Sequence, residues 1–490
     1  MRDDVVVVGA GPVGLLLAAE LRLAGVSVTV IERAAERSPH SKALTLHPRT
    51  LEVLAMRGLA DRFVREGTPL PSGHYAGLPA RLDFSVLDTR FPYTLVLPQL
   101  RTEQLLEERL FALGGEIRWE HRALAVRQDE GGAEVDVAGP DGPYTLRAGW
   151  VVGCDGAGST VRAASGVEFP GTSTTTTGFL GDVVLDEPPR VPSLTSEHGG
   201  ILIVPLGDGH HRIAGSTRES ATRPASEPFT LDELRAAVRA IAGTDFGMRA
   251  PRWLSRFGNA ARQAARYREG RILLAGDAAH IHMPMGGQGL NVGLQDAFNL
   301  GWKLAAHCRG RAPADLLDSY HAERHPVGAA LLENTQAQTA MGAVHTPDTR
   351  ALRAVFSDIL ATHPTVNRQL AGQLSALDVA YPAPAGAAPL VGRRAPDVEL
   401  EGADAPSLYP LLADGRFVLL DLGGSEDGGG AYADAMALAE RVAGGADRVR
   451  VVTARPATAH QGWEGPLTVL VRPDGHIAWV STEAPALSTQ

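Results

Sequence analysis

The chain has 490 residues, of which 44% are hydrophobic and 21% charged, a composition typical of globular proteins. This length corresponds to roughly three domains. With 46 basic and 56 acidic residues the net charge is −10, which disfavours nucleic acid and anionic membrane surfaces as partners. The only two cysteines, Cys154 and Cys308, exclude a disulfide framework and favour a reducing cytoplasm. We expect no signal peptide before the first apolar run, and the apolar stretch over 13–23 is too short and too charged to span a bilayer.

The N-terminal pattern is that of a parallel sheet covered by helices. A β-branched run at Val5–Val8 precedes a glycine-rich turn, a helix over Leu15–Ala24 and a second strand over Val26–Ile31. This strand–helix–strand order predicts a doubly wound sheet. Farther along, the spacing of apolar residues predicts helices over 45–66 and 101–115, and strands over 123–128, 133–138 and 144–152.

From Gly171 to about Pro251 the sequence becomes rich in Thr and Pro with short alternating runs, which indicates a mainly antiparallel layer. The predicted elements here and just beyond are strands at Gly200–Pro205, His211–Gly215 and Arg271–Leu274, and helices at Leu231–Ile241 and Gly289–Cys308. A Pro-, Ala- and Gly-rich stretch, Tyr381–Pro389, is typical of a linker. After it, a small α/β unit is predicted, with strands at Phe417–Leu422, Val449–Val452, Leu467–Val471 and Ile477–Val480, a helix at Tyr432–Ala443 and a turn at 473–475.

The turn after the first strand carries Gly9, Gly11 and Gly14 in the spacing of a dinucleotide-binding loop. Such glycines permit a tight turn, close approach of a pyrophosphate, and helix–strand packing. Glu32 ends the second strand, where a carboxylate can bind ribose hydroxyls. The alternative is a glycine-rich turn without a ligand, but the strand context and Glu32 favour dinucleotide binding. The motif alone does not choose between NAD and FAD.

A second glycine cluster favours FAD. Gly276 and Asp277 end a predicted strand, and Pro284 and the run 286–291 precede the long helix. Backbone N–H groups at a helix N-terminus stabilise a nearby negative charge, such as that of a reduced flavin ring. An ordinary capped helix is the alternative. A third segment, beginning at Asp155, reads alone as a turn before a capped helix.

Together these three clusters resemble the flavin-dependent aromatic hydroxylases of the para-hydroxybenzoate hydroxylase fold. The resemblance implies an α/β fold in which a Rossmann-like FAD-binding domain holds an inserted, mainly antiparallel substrate domain and is followed by a C-terminal thioredoxin-like domain. The implied boundaries are 1–70, 98–170 and 270–385 for the FAD-binding domain, 71–97 and 171–269 for the substrate-binding domain, and 390–490 for the C-terminal domain.

The resemblance also implies a set of FAD-binding residues. Lys42 stands where the family often has an arginine, so it keeps the charge but not the planar fork. The full set is Gly9, Gly11, Pro12, Val13, Gly14, Glu32, Arg33, Lys42, Gln99, Arg101, Asp155, Arg162, Gly276, Asp277, Pro284, Gly286, Gly287, Gln288, Gly289, Leu290 and Asn291.

The implied activity is a monooxygenase that uses FAD, NADPH or NADH, and O2. In such enzymes a flavin C4a-hydroperoxide transfers oxygen to a phenolic ring, so no side chain is assigned as catalytic. The chain looks similar to hydroxylases of polycyclic aromatic polyketides of the anthracycline and angucycline type, with rifampicin monooxygenases as an alternative. A different class, a non-oxygenating flavin or NAD oxidoreductase or a flavin-binding partner protein, stays open. We expect no metal ion.

The substrate is expected above the flavin, against an apolar floor. Candidate lining residues are His74, Tyr75, Phe84, Phe91, Tyr93, Phe179, Arg212, Trp253, Met283 and Met285, although each aromatic also suits core packing. His280 and His282 flank the flavin loop, where structural hydrogen bonding is favoured over a general-base role. The C-terminal region holds neither cysteine, so we expect a packing or oligomer role, removal without loss of flavin, and a monomer or homodimer.

Overall fold

The computed structural model describes residues 3–310, 312–313, 315–422, 445–458, 463 and 468–481, with residues 433, 436–438 and 440. Up to residue 165 the elements are β1 (Asp3–Val8), α1 (Pro12–Leu23), β2 (Val28–Ile31), β3 (Thr45–Leu46), α2 (Pro48–Ala55), α3 (Ala60–Glu66), β4 (Thr68–Leu70), β5 (Ser72–His74), β6 (Arg81–Asp83), β7 (Thr94–Val96), α4 (Gln99–Ala112), β8 (Ile117–Arg118), β9 (Arg122–Asp129), β10 (Gly132–Gly139), β11 (Gly142–Gly153) and α5 (Thr160–Ser165).

The middle of the chain continues this series into a second sheet and four helices that follow it. These elements are β12 (Gly171–Thr172), β13 (Thr177–Val184), β14 (Ser193–Thr195), β15 (Gly199–Pro205), β16 (His210–Thr217), α6 (Leu231–Ala242), β17 (Arg249–Gly258), β18 (Ala261–Gln263), β19 (Arg268–Glu269), β20 (Ile272–Leu274), β21 (His280–Ile281), α7 (Gln288–Cys308), α8 (Asp318–Gly342), α9 (Pro347–Thr362) and α10 (Pro364–Ser375). The C-terminal part adds β22 (Leu400–Glu401), α11 (Leu408–Leu411), β23 (Phe417–Asp421), β24 (Val449–Thr453), β25 (Arg455–Pro456), β26 (Thr468–Val471) and β27 (Ile477–Ser481).

The predicted parallel, Rossmann-like sheet is confirmed. β1 lies at its centre and pairs in parallel with β2 and β11, and β8 and β20 extend the parallel set on either side. The meander of β9, β10 and β11 was also predicted. Helices α1 and α7 pack together over this sheet, and the β-branched residues of β1 are fully buried between the layers.

The single helix predicted over 45–66 is wrong. The segment begins with β3 and then forms two short helices, α2 and α3. Pro48 occupies the first turn of α2, and Gly58 between the helices adopts a φ of +68°, a left-handed conformation that ends a helix. Helices α8, α9 and α10 were not predicted, and α8 continues through Pro326.

The predicted antiparallel layer is the five-stranded sheet β14–β15–β16–β13–β17. Helix α6 covers one face through Leu234 and Val238, which belong to the core cluster of this sheet. The alternation along β16 places Ile213 in that core, while Arg212 and Ala214 face the opposite side. This opposite side forms a wall of the cavity described below.

The C-terminal unit contains a four-stranded mixed sheet in the order β24–β23–β26–β27. Its four predicted strands are present within a residue or two, with β23 and β24 parallel and the other pairs antiparallel. The predicted helix over 432–443 lies largely outside the described residues.

The turn between β26 and β27 inserts into the main body of the protein. Asp474 accepts hydrogen bonds from Trp302 at 3.1 Å and from Arg472, and Glu323 binds both Arg472 at 2.8 Å and Lys303 at 2.7 Å. We call Lys303, Glu323, Arg472 and Asp474 the rear cluster. Removing the C-terminal unit would take Arg472 away from Glu323 and Asp474 away from Trp302, while the pair of Glu323 with Lys303 would remain. Removal of the unit without loss of flavin stays a prediction, and these contacts predict that removal lowers the stability of the main body.

None of the helices in the described part of the chain has both the length and the apolar composition that crossing a membrane requires.

Candidate active site

One cavity of about 1370 Å³ connects the loop after β1 with the antiparallel sheet. Its wall brings together residues far apart in the sequence, among them Gly11, Glu32, Asp277 and Trp253. Pockets for a single small ligand typically measure about 300–1,000 Å³. This cavity therefore has room for a large cofactor and a second molecule.

The three glycines of the first loop differ in the space that would surround an added Cβ atom. A Cβ atom at Gly9 would lie 2.4 Å from the carbonyl oxygen of Cys154, and one at Gly14 would lie 2.0 Å from the carbonyl oxygen of Gly9. A Cβ atom at Gly11 would meet no protein atom within 4 Å. Gly9 and Gly14 thus serve the close packing of the backbone, whereas Gly11 leaves space open to the cavity at the N-terminus of α1.

Glu32 follows β2 and lies beside this loop. Its carboxylate accepts hydrogen bonds from the backbone N–H of Ala10 at 2.9 Å and of Ala34 at 3.0 Å. A carboxylate offers about four lone-pair sites, so the oxygens can still accept from a ligand. Both Glu32 and Arg33 are on the cavity wall.

The segment at Asp155 is a cap, as its sequence suggested. The Asp155 carboxylate accepts from the Ser159 hydroxyl and from the backbone N–H of Thr160, while Ser159 caps α5. Arg162 does not line the cavity. It donates to the carbonyl oxygens of Ala157 at 2.8 Å and Ala278 at 2.9 Å, and so holds two cavity loops together.

The second glycine cluster is anchored by a buried triad that sequence reasoning missed. Asp296 of α7 accepts from the backbone N–H of Gly276 at 3.2 Å, His280 at 2.8 Å and Arg324 at 2.7 Å. Burial alone would raise the pKa of Asp296, but Arg324 and His280 hold that pKa below its usual range. Asp277, next to Gly276, is exposed and lies on the cavity wall.

The glycine run before α7 has a left-handed backbone at Gly286 and Gly287, with φ values of +72° and +67°. A Cβ atom at Gly287 would lie 2.4 Å from Oγ1 of Thr45, so the run packs closely on β3. Asn291 does not line the cavity; it donates to the carbonyl oxygens of Thr45 and Gly287 and accepts from the His47 N–H. These contacts fix the backbone N–H groups of the run at the cavity edge.

Some of the remaining predicted cofactor residues line the cavity, and others do not. Lys42 and Gln99 are on the cavity wall, and Gln99 also accepts from the N–H of Ala43 at 3.0 Å. Arg101 lies away from the cavity and pairs with Glu66. The predicted residues on the wall are Gly9, Gly11, Pro12, Val13, Glu32, Arg33, Lys42, Gln99, Asp155, Asp277, Pro284, Gly286, Gly287, Gln288, Gly289 and Leu290, whereas Gly14, Arg101, Arg162, Gly276 and Asn291 are not.

Half of the predicted substrate-lining residues reach the cavity: His74, Arg212, Trp253, Met283 and Met285. The other five pack into hydrophobic cores. Tyr75 and Phe84 belong to the cluster beneath α9 and α10, Phe91 and Tyr93 pack in or against the main core, and Phe179 lies under the antiparallel sheet. For these five the structure shows core packing.

Trp253 forms a flat aromatic surface beside the cavity. Its ring stacks on His40 with centroids 5.2 Å apart, and the Arg212 guanidinium lies 5.1 Å from its centroid. Arg212 is held by a buried bidentate pair with Asp182, at 2.8 Å for both bonds. The contacts with His40 and Arg212 therefore fix the plane of the Trp253 ring.

The two histidines near the second cluster differ. His280 is fully buried and bonds Asp296, as a structural histidine would, whereas His282 lies on the cavity wall. Burial lowers the pKa of His282, so its ring is neutral near pH 7. Among the described residues no group of three or more His, Cys, Asp or Glu side chains could hold a metal ion.

Sequence reasoning also missed polar wall residues at the far end of the cavity. Arg81 and Arg353 line it, as does Ser216, whose hydroxyl lies 3.0 Å from the His345 ring. The strands that carry Ser72, His74 and Arg81 are three residues long, too short for a periodic signal.

The wall fits FAD at its dinucleotide end. Gly11 leaves space that no protein atom needs, and the N-terminus of α1 presents unpaired N–H groups there. Glu32 and Asp277 supply carboxylates at separate strand ends, as a long bipartite ligand requires. Fold and cavity together define a dinucleotide-binding oxidoreductase. The part of the cavity beside Trp253 suits a flat aromatic molecule.

Comparison with known proteins places the chain in a family. A family model described as "FAD binding domain" matches residues 2–335, and a second, "Aromatic-ring hydroxylase, C-terminal", matches residues 388–490. The chain belongs to the FAD-binding aromatic-ring hydroxylases, and it is an FAD-dependent aromatic monooxygenase.

Curated relatives match over nearly their whole length. The chain is 50% identical to an uncharacterized aromatic compound monooxygenase, YhjG, of Bacillus subtilis (100% of this chain, 96% of the relative). It is 46% identical to the 12-dehydrotetracycline 5-monooxygenase/anhydrotetracycline 6-monooxygenase of Streptomyces rimosus (100% and 97%), and 45% identical to a rifampicin monooxygenase of Streptomyces venezuelae (99% and 97%). Among solved structures, the OxyS anhydrotetracycline hydroxylase of Streptomyces rimosus superposes with a TM-score of 0.90 at 45% identity, covering 100% of this chain and 97% of that one.

Proposed function

We propose that this enzyme hydroxylates a polycyclic aromatic polyketide, with FAD as its cofactor and NADPH or NADH and O2 as co-substrates. The observation that carries the proposal is the continuity of the cavity, which connects a dinucleotide site with the flat surface of Trp253. The relatives named for anhydrotetracycline support a substrate of several fused rings.

The residues that would hold FAD follow from the wall. The N–H groups at the start of α1 would bind the pyrophosphate, Glu32 a ribose, and Asp277 the ribityl chain, with the N–H groups of the run at Gly286 and Gly287 facing the ring. Bound FAD would supply the electron and oxygen transfer chemistry.

The chain's own contribution is position and exclusion of water. Met283 and Met285 give an apolar floor at the flavin loop, and Trp253 gives a rigid flat wall opposite the loops of the FAD site. An apolar, closed chamber strengthens electrostatic interactions and limits side reactions with water. Gly14, Arg162, Gly276 and Asn291 act by positioning the loops that carry the binding groups.

The domain boundaries inferred from the sequence stay predictions, supported by the two family matches. A thioredoxin-like C-terminal unit is supported by its mixed four-stranded sheet, in which one parallel pair is followed by antiparallel strands. Because Cys154 and Cys308 are both outside it, this unit carries no thiol redox chemistry, and a packing or oligomer role stays the prediction. The rear cluster supports a packing role within one chain.

The alternative substrate is a rifamycin-type antibiotic, supported by the rifampicin monooxygenase relative. The test follows NADPH oxidation and hydrogen peroxide separately, with anhydrotetracycline and with rifampicin, and identifies oxygenated product by mass spectrometry. We expect faster NADPH oxidation and a product with one added oxygen atom for anhydrotetracycline. NADPH oxidation that yields only peroxide with both compounds would contradict the proposed substrate class.

A further inference from the structure

The far end of the cavity is formed by a short β-hairpin that carries four polar side chains on one face, three of which line the cavity. In the antiparallel pairing of β5 with β6, His74 lies directly opposite Arg81, and Ser72 opposite Asp83. Directly opposed residues point to the same face with Cβ atoms about 4.5–5.5 Å apart. We call Ser72, His74 and Arg81 the hairpin triad; all three line the cavity.

The other face of the hairpin is apolar, which fixes the orientation of the triad. Leu82 is fully buried, and a Cβ atom at Gly73 would lie 2.7 Å from Leu374 and 2.8 Å from Phe84. A slip by one residue would bury Arg81 in this core, so the register is strongly specified.

The side chains of Arg81 and His74 have few hydrogen-bond partners within the protein. Arg81 makes only one long contact, 3.4 Å from Nε to the Ser72 hydroxyl, and no carboxylate among the described residues pairs with it. Neither ring nitrogen of His74 has a hydrogen-bond partner among those residues, and Nδ1 is buried. Buried polar groups are normally bonded, so an exception of this kind on a cavity wall points to a ligand.

On the cavity side of the hairpin the charge is positive, because Asp83, the carboxylate on the same face, is exposed, accepts from the Ser85 hydroxyl and does not line the cavity. Burial lowers the pKa of Arg81, yet an arginine stays charged at any physiological pH. His47 is the titratable group near the triad on a neighbouring element, and Arg353 lines the same cavity while donating to the carbonyl oxygens of Ala76 and Gly77. Burial, Arg81 and His47 together lower the pKa of His74 to about 4, so it is neutral at pH 7. The carboxylates on the described wall, Glu32, Asp155 and Asp277, belong to the dinucleotide end.

Resting on the proposed function, we propose that the hairpin triad is the substrate's anion subsite: Arg81 pairs with an ionised phenol or enol oxygen of the polycyclic substrate, and neutral His74 hydrogen-bonds to the neighbouring oxygen. The substrate is thus bound as its anion. An ionised ring is more electron-rich, which favours attack on an electrophilic oxygen.

The test uses alizarin, a planar dihydroxyanthraquinone whose anion absorbs at longer wavelength than its neutral form and than oxidised flavin. The FAD-loaded enzyme is titrated with alizarin across pH without NADPH, so that no turnover occurs. We expect the pKa of the bound dye to fall by about 1–3 pH units relative to free dye, the range for an opposite charge within a few ångströms. Its dimethyl ether, which cannot ionise, should bind more weakly.

Arg81→Met should abolish that pKa shift and weaken binding of the anion tenfold or more, while leaving binding of the dimethyl ether unchanged. Arg81→Lys should keep the shift but bind less tightly, because the planar fork is lost. Arg147→Met is the matched control, since Arg147 is exposed and its one carboxylate partner in the described part of the chain is Glu134. If Arg81→Met does not retain FAD, Arg81→Gln replaces it.

An equal dye pKa in the wild type and in Arg81→Met, no shift in the wild type, or no binding of alizarin to the wild type would each overturn the subsite. These outcomes are separate from failure of the proposed function. A dye bound as its anion with no oxygenated product from anhydrotetracycline would leave the subsite standing and refute the activity. Hydroxylation of anhydrotetracycline, together with dye binding that Arg81→Met does not change, would support the activity and refute the subsite.

Discussion

The rear cluster and the hairpin triad are both groups of partly or fully buried polar side chains, but they differ in how their hydrogen bonds are used. In the rear cluster Lys303, Glu323, Arg472 and Asp474 bond one another, and Asp474 also bonds Trp302. In the hairpin triad Arg81 and His74 lack such partners among the described residues. The comparison teaches that the buried charges of the rear cluster join two parts of the chain, whereas the polar groups of the hairpin triad are left open to the cavity.

Two glycines of one loop show the same contrast between a structural role and a place on the cavity wall. This contrast gives the prediction of largest effect. Gly11→Val should give a folded protein without FAD, because the new side chain enters only cavity space. Gly14→Val should instead destabilise the fold, because its Cβ atom would lie 2.0 Å from the carbonyl oxygen of Gly9. Flavin absorbance after gel filtration and the thermal midpoint of the apoproteins measure the two effects. A Gly11→Val protein with normal FAD content would refute the assignment of this loop.

The rear cluster should be required for stability. Asp474→Ala removes the acceptor of Trp302 and one of the two carboxylate partners of Arg472, and breaking a buried pair costs about 3–5 kcal/mol. Denaturant unfolding followed by circular dichroism measures this loss. Asp404→Ala, at an exposed position of the same unit, is the control and should change stability by no more than about 0.5 kcal/mol. Equal stability of the two variants would show that the cluster is dispensable.

The rear cluster should also determine how the stability of the fold decreases at acidic pH. Burial alone would raise the pKa of Glu323, but Arg472 and Lys303 lower it to about 2. The usual value is 4.5, so the stabilisation is fully present above pH 4.5 and is lost as the pH falls towards about 2. The amount is roughly 3 kcal/mol. Glu323→Gln should be less stable at neutral pH and should lose part of the pH dependence between these values, as measured by urea unfolding. An unchanged acid profile would exclude Glu323 as its source.

A smaller effect is expected at the dinucleotide end. Asp277 is exposed to the cavity, and its carboxylate accepts no hydrogen bond from the described residues, so Asp277→Ala should fold normally. Loss of a charged hydrogen bond to the ribityl chain should weaken FAD binding about 10- to 150-fold. Equilibrium dialysis followed by flavin fluorescence measures the affinity. A variant that stays fully yellow after dialysis would contradict this role.

The sequence predicted those features that depend on neighbouring residues. The loop from Gly9 to Gly14 is a local motif between a strand and a helix, and its position at the cavity follows from the βαβ unit alone. The glycine run before α7 and the capped helix start after Asp155 were predicted for the same reason.

The features it missed depend on contacts between distant segments. Asp296 reads as one residue of a long helix, and only the fold brings it to His280 and Arg324. The aromatic residues could not be divided from sequence between core and cavity, since Phe179 and Trp253 lie on paired strands of one sheet, and only Trp253 reaches the cavity. No pattern in the sequence indicated that Arg81 lines the cavity.

The turn that joins β26 to β27 limits how this enzyme can be recombined with its relatives. Gly475 there has a φ of +73°, and a Cβ atom on it would lie 2.5 Å from the Met56 side chain. A tail grafted from another hydroxylase will be accepted only if it offers an arginine, an aspartate and a glycine at the places of Arg472, Asp474 and Gly475. Chimaeras designed at the linker without that match should accumulate as insoluble protein, even when each parent is well behaved.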